Sequence, residues 1–328
     1  MPTNLPPEAL EAEKRYREAV TVSDKIATLQ EFLSLIPKHK GTDKLRGDLR
    51  KRLSKLQAAA QSGKSKGKSE SLYRIDREGA GQVAIIGVTN VGKSALVAVL
   101  TSASPEVSES PYTTWQPTPG MMPYEDIQIQ LIDTPPLNPD YVENEMMDLI
   151  RRVDLVLLVV DLQTEPLRQL EEAAAILEEH RIVPAHRGLP EESPRRLFAV
   201  PMLVLANKCD PEEELELFDI LCALLEEDWP ILPVSATTGL GLERLKREIF
   251  ERLEIIRIYS KPPGKPPDMT APYVMKKGST VEELAGKVHK DFLENLKAAR
   301  VWGSSAFDGQ MVGRDHVLQD GDVVELRI

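Results

Sequence analysis

One octapeptide restricts the fold of this chain more than any other feature. Gly87-Val-Thr-Asn-Val-Gly-Lys-Ser94 carries glycines at its first and sixth positions and ends on a basic and a hydroxyl residue. An apolar run at 83–86 precedes it, and a helical pattern over 95–100 follows. Strand, glycine-rich turn and helix, in that order, give backbone N–H groups that can wrap phosphate oxygens at the positive end of a helix. Lys93 then reaches the outer phosphates and Ser94 holds Mg²⁺. Gly87, Asn90, Val91, Gly92 and Ala95 line the same wrap.

The residues downstream supply the sheet that such a loop needs. Strand-like runs at 127–132, 155–160, 199–205 and 231–234 alternate with helical patterns at 141–152, 166–179, 212–226 and 242–253. That alternation predicts an α/β domain over 80–260, a mostly parallel sheet with helices on both faces.

Three further segments sit at predicted strand ends or in loops beside them. Asn207-Lys-Cys-Asp210 follows the 199–205 run and lies 113 residues after Ser94. A carboxylate there accepts the ring N1–H and the exocyclic amine of guanine, whereas adenine presents an acceptor and is rejected. Asn207, Lys208 and Asp210 are thus candidate base-binding residues, with Ser235-Ala236-Thr237 as the companion loop. Asp133-Thr-Pro-Pro136 ends the 127–132 run, which places Asp133 to bind Mg²⁺ through water. Pro111-Tyr-Thr-Thr114 lies in the loop before that strand. Thr114, preferred to Thr113, is the candidate for Mg²⁺ and the γ-phosphate, and with Lys93 it is the expected catalytic residue.

Charge is unevenly distributed. The chain of 328 residues has a formal charge of -11, which argues against wholesale nucleic-acid binding. Residues 38–68 nevertheless hold 11 Lys/Arg against 2 Asp/Glu. Leucines 45, 49, 53 and 56 follow helix spacing within this stretch, and 61–71 is rich in Gly, Ser and Lys. Residues 1–70 therefore read as a helical hairpin with a basic linker. Its charges can meet RNA phosphates or form a solvated helix face. Two cysteines exclude a disulfide framework and a structural zinc site. The first 13 residues hold no apolar run, and the longest such run, near 155–160, is too short for a membrane span. A cytoplasmic protein with no membrane contact is expected.

A proline-rich stretch, Lys261-Pro-Pro-Gly-Lys-Pro-Pro267, reads as a stiff connector to a small domain over 268–328. That block has strands near 272–275, 299–302 and 323–328 and a helix at 281–289. Trp302 and Phe307 can pack in its core or stack on RNA bases.

The ordered set Gly87–Ser94, Thr114, Asp133–Pro136, Asn207–Asp210 and Ser235–Thr237 resembles the translation-factor class of GTPases. Pro111-Tyr-Thr-Thr resembles the Obg branch. Lys276-Lys-Gly-Ser-Thr-Val-Glu-Glu283, Ala299-Arg-Val-Trp-Gly-Ser-Ser305 and Val312-Gly-Arg-Asp-His-Val-Leu318 are similar to the TGS domain of developmentally regulated GTP-binding (DRG) proteins, a ubiquitin-like β-grasp. The resemblance covers about residues 80–328. It implies a GTP-binding and GTP-hydrolysing switch associated with ribosomes or structured RNA, which an activating partner protein can assist.

Three positions modify that expectation. Pro136 stands where the class usually has a Gly whose N–H meets the γ-phosphate, and proline has none. Leu137 stands where many relatives have a water-orienting Gln, so slow intrinsic hydrolysis is expected. Asn90 stands where potassium-stimulated relatives carry an Asn that helps hold K⁺, though the same residue also serves as an ordinary loop filler. Two rivals remain: a non-hydrolysing GTP/GDP-binding module, and an RNA-binding adaptor whose GTPase-like domain is structural.

Overall fold

The computed structural model describes residues 73–101, 117–137, 143–189, 196–210 and 213–328, with residues 14, 15, 28 and 49 of the N-terminal segment. The basic linker and Thr113 and Thr114 lie outside the described residues, as does the helical hairpin apart from those four positions. The elements of the N-terminal α/β part are β1 (Gln82–Ile86), α1 (Lys93–Thr101), β2 (Thr118–Tyr124), β3 (Ile127–Asp133), α2 (Asn144–Ile150), β4 (Leu155–Asp161), α3 (Pro166–Glu179), β5 (Ile182–Pro184), β6 (Phe198–Val200), β7 (Met202–Asn207), α4 (Glu213–Leu224), β8 (Ile231–Pro233) and α5 (Leu242–Arg252).

Six strands form one sheet in the order β2-β3-β1-β4-β7-β8. Neighbours are parallel, except that β2 runs antiparallel to β3. Strand alternation sends side chains to two separate cores. Val83, Ile85, Leu157, Val159, Leu203 and Leu205 pack with Leu96 and Leu100 of α1 and Leu245 and Ile249 of α5. Ala84, Ile86, Val156, Leu158, Val160 and Val204 pack instead with Met147 and Ile150 of α2 and Leu170 and Leu177 of α3. β4, Leu-Val-Leu-Leu-Val-Val-Asp, is buried along its whole length. A strand covered on both faces needs such an unbroken apolar run, and each of these side chains contributes about 1.5–3 kcal/mol on burial.

The predicted 199–205 strand is divided at Pro201. Phe198–Val200 pairs with β5, and Met202–Asn207 enters the main sheet. Pro201 has no N–H for a ladder, but its carbonyl accepts from Val156 at 2.9 Å. β2 was hidden in the sequence by Pro119, Gly120 and Pro123. It is tolerated because it occupies the sheet edge.

The C-terminal part contains β9 (Ile255–Ser260), β10 (Tyr273–Lys276), α6 (Val281–Val288), α7 (Lys290–Asn295), β11 (Ala298–Trp302), β12 (Gln310–Val312) and β13 (Val323–Arg327). Its sheet runs β10-β9-β13-β11-β12. β9 and β13 are parallel, and the remaining pairs are antiparallel. α6 starts with a reciprocal cap between Thr280 and Glu283 and contributes Val281, Leu284 and Ala285 to a third core.

The structure corrects the expected boundary here. The sequence reading begins this domain at residue 268, but β9 already belongs to its sheet. The proline-rich stretch is therefore a loop between two paired strands of one domain, not a connector between domains. Its ends are fixed by Lys261 N–H to Val324 O at 2.9 Å and Asp268 N–H to Ser260 O at 2.9 Å. The packing alternative fails for Phe307, which is 86% exposed, while Trp302 is half-buried beneath Lys261.

Candidate nucleotide site

The chain enters the main sheet at β1, moves to β3 on one side and then to β4 on the other. This reversal opens a crevice at the carboxyl ends of the strands, where ligands of open α/β sheets bind. Gly87 follows β1, Asp133 ends β3, Asp161 ends β4, Asn207 ends β7 and Ser235 follows β8.

In the first loop, Lys93 is buried, and its Nζ donates to Gly87 O at 3.0 Å and Val88 O at 2.9 Å. Burial lowers its pKa, against the opposing charge of Asp133. Gly92 has φ +92°, and a Cβ there would lie 2.3 Å from Asn207 Nδ2. Only glycine allows this approach of the two loops. Asn90, exposed with φ +65°, is one of the non-glycine types that tolerate the left-handed region. Val91 is buried, and Ala95 is exposed on α1.

Ser94 Oγ lies 2.5 Å from Asp133 Oδ2. Asp133 Oδ1 is buried without a hydrogen-bond partner among the described residues. Burial raises the Asp133 pKa, against the Ser94 hydrogen bond and the Lys93 charge. A hydroxyl touching a carboxylate whose second oxygen is orphaned fits a hard divalent cation such as Mg²⁺. The adjoining loop is closed to phosphate. Thr134 N–H donates to Ile85 O at 3.3 Å and Leu137 N–H to Gly87 O at 3.0 Å. Pro135 and Pro136 have no N–H. Leu137 is 2% exposed and belongs to the α2–α3 core.

The base loops are braced by side chains. Asn207, buried, donates to Val91 O at 2.8 Å and accepts from Ala236 N at 3.4 Å, so it ties the first loop to the last. Lys208 (φ +65°) is drawn across to Asp161 Oδ2 at 2.5 Å. Ser235 Oγ donates to Asp210 Oδ1 and accepts from Thr237 N at 3.2 Å and Thr238 N at 2.9 Å. Glu214 accepts from Asp210 N at 2.6 Å and from Gln163 Nε2 at 2.7 Å. Cys209 is buried, and burial raises its thiol pKa.

A family model described as a 50S ribosome-binding GTPase matches residues 82–187, and a TGS-domain model matches residues 256–328. A GTP-binding protein of Methanocaldococcus jannaschii is 32% identical, over 95% of this chain and 94% of its own length. This chain belongs to the DRG-type GTPases that end in a TGS domain. Developmentally-regulated G-protein 3 of Arabidopsis thaliana is 28% identical, over 93% of this chain and 98% of its own. Ribosome-interacting GTPase 1 of Saccharomyces cerevisiae is 26% identical, over 93% and 99%. Like its family, the chain binds and hydrolyses GTP.

The structure brings Lys93, Ser94 and Asp133 together at one end of the crevice and Asn207, Asp210 and Ser235 at the other. Asp161, Gln163 and Glu214 were not foreseen as site residues. Asp161 could have been found as the carboxylate that closes an otherwise apolar strand. Glu214 has only a weak sequence signal, because acidic residues at a helix start are common for dipole reasons alone. Among the described residues no helix is long and apolar enough to cross a membrane.

Proposed function

We propose that this chain is a slow GTPase switch directed to ribosomes or structured RNA, whose turnover depends on an activating partner. The observation that carries the proposal is the 134–137 loop. It offers no free N–H, and Leu137 points into the core rather than toward an attacking water. Both features remove help that other GTPases draw from this loop. In this reading Lys93 exchanges its two backbone carbonyl partners for phosphate oxygens, and Ser94 and Asp133 hold Mg²⁺. Mg²⁺, when bound, offsets negative charge on the phosphates. Asp210 reads guanine while Ser235 and Glu214 hold its loop, and Asn207 keeps base and phosphate loops in register. Thr114, which lies outside the described residues, is the sequence's candidate for the γ-phosphate. Domain limits of 1–70 and 80–254, with a TGS domain from 255, accompany this reading.

The name of the yeast relative and the description of the matched GTPase model support a ribosomal target. The basic 38–68 segment supplies charge suited to RNA phosphates. Asn90, whose side chain has no partner among the described residues, is available for K⁺. K⁺ over Na⁺ at equal ionic strength should then accelerate hydrolysis, and Asn90→Ala should abolish the difference.

The test is co-sedimentation with ribosomes in GDP and in a non-hydrolysable GTP analogue, alongside single-turnover hydrolysis with and without ribosomes. Analogue-dependent pelleting and faster hydrolysis on ribosomes are expected. No hydrolysis under any condition would favour the non-hydrolysing module. Pelleting indifferent to nucleotide would favour the RNA-binding adaptor.

A further inference from the structure

α4 leaves an apolar seam open. Leu217, Ile220 and Leu224 are 44%, 55% and 57% exposed and recur at helical spacing along one face. They line a groove with Leu162, just after β4, and with Pro166 and Leu167 at the start of α3. Adjoining it at Leu224 is a second hollow, floored by Leu170, Ala174 and Trp229. Isolated exposed leucines are ordinary, but a continuous row beside a groove marks a contact surface.

The rim fixes the chemistry of the occupant. Residues 215–229 hold five Asp/Glu and no Lys/Arg. Across the groove, Arg168 is paired with Glu165 and Glu172, and Arg187 with Glu178 and Glu227. Glu171, Glu216, Asp219 and Glu226 have no ion pair among the described residues. A second copy of this face would set these acids against their own kind. A helix with an apolar stripe and basic flanks matches both the row and the rim, and the two-turn row from Leu217 to Leu224 suits a short helix lying along it.

We propose that the α3–α4 groove is a docking site for a basic amphipathic helix of a partner protein. The nucleotide crevice, at the carboxyl ends of the strands, does not include this groove.

The test uses a labelled synthetic helix of leucine and lysine, with leucines at i, i+3, i+4 and i+7, and a counterpart with glutamate in place of lysine. The Leu–Lys peptide should bind the full chain saturably by anisotropy. Ile220→Asn with Leu224→Gln should weaken binding roughly tenfold or more. Glu216→Gln with Asp219→Asn should weaken it less and flatten its salt dependence. Glu282→Gln with Glu294→Gln, equal in charge change but on the TGS domain, should leave it unaltered, and GTP binding by all variants checks their folding. Equal binding of the glutamate peptide, or an unchanged affinity in the groove variant, would overturn the proposal. So would a dimer in sedimentation equilibrium that Ile220→Asn converts to monomer, because the occupant would then be a second copy.

Discussion

Two clusters of charge lie at opposite ends of β3, and they are built on opposite terms. At its carboxyl end, Asp133 keeps one oxygen buried and orphaned, and burial moves both Asp133 and Lys93 toward their neutral forms. At the β2–β3 turn, Arg257 of β9 gathers charges from both domains. It meets Asp320 through two hydrogen bonds of 3.1 and 2.8 Å and Asp126 at 3.0 Å, and it also pairs with Glu125. Its guanidinium lies 5.0 Å over Phe250, which stacks on Tyr124. Burial would push the Asp126 carboxyl up, but the Tyr259 hydroxyl and Arg257 outweigh it and hold it below its usual range. Tyr259 is pushed up to about 12, by burial first and Asp126 second. A site awaiting a ligand leaves its charges unmatched. A structural junction matches them internally.

The largest expected effect attacks the ligand side. Asp210 shares one oxygen with Ser235, and its other oxygen has no hydrogen bond among the described residues. Two charge-assisted bonds to guanine, about 1.5–3 kcal/mol each, would complete it. Asp210→Asn should therefore reduce GTP affinity on the order of 10³-fold and raise affinity for xanthosine triphosphate. Calorimetry with both nucleotides decides this, and an unchanged GTP affinity would remove Asp210 from the base site.

The second attacks the junction. Arg257→Leu leaves Asp126 and Asp320 without their shared cation, a loss of about 3 kcal/mol. Denaturant unfolding should show it, while GTP binding stays near parent values. Acid sharpens the test. A depressed folded-state pKa contributes stability above the ordinary carboxylate range and loses it as pH falls through the folded value. The parent should thus hold the Asp126 contribution above about pH 4 and lose it below. The variant, whose Asp126 lacks the help of Arg257, should fall less with acid, so that the gap between the two proteins narrows as pH drops. Superimposable acid curves would show that the junction is not electrostatically matched.

A third effect separates the two clusters directly. Asp133→Asn removes an unmatched charge, so the nucleotide-free protein should gain about 1 kcal/mol. The same variant should lose the Mg²⁺-dependent part of thermal stabilisation by GTP. A destabilised apo variant would mean that Asp133 is matched in the way Asp126 is, and the contrast between the ends of β3 would fail.

What the sequence disclosed, and what it hid, follows the same division. The phosphate and base loops were legible because phosphate and guanine demand fixed residue types at fixed offsets from strands. The unbroken apolar run of β4 was legible because burial on both faces demands it. β9 was not legible. Its residues, Ile-Ile-Arg-Ile-Tyr-Ser, follow a helix without a break and precede prolines that suggest a connector. Arg257 and Asp126 were invisible as a pair because 131 residues separate them and many carboxylate–arginine pairings satisfy the same physics. Glu214 and Asp161 were missed for a related reason: they brace residues that carry the motif and are not part of it.

The smallest effect concerns the residue whose chemistry is plainest. Pro136 lacks an N–H, and the structure extends that loss to its neighbours. The N–H groups of Thr134 and Leu137 face Ile85 O and Gly87 O, and Pro135 has none. Pro136→Gly restores one donor between two fixed points. A charge-assisted bond to the γ-phosphate is worth about 1.5–3 kcal/mol when fully formed. Glycine also returns backbone freedom that proline had removed from the unfolded chain, at a cost of up to about 1 kcal/mol in stability. Only part of the bond should therefore appear, as a widening of the GTP-analogue to GDP affinity ratio by about tenfold or less. The folded protein should lose a little stability without nucleotide and recover it with the analogue, but not with GDP. An equal loss in all three states, with an unchanged affinity ratio, would show that the Leu137 anchor keeps the loop turned from phosphate whatever residue stands at 136. Position 136 would then belong with Arg257 and Asp126, among the groups that hold the molecule together, rather than with those that meet its ligand.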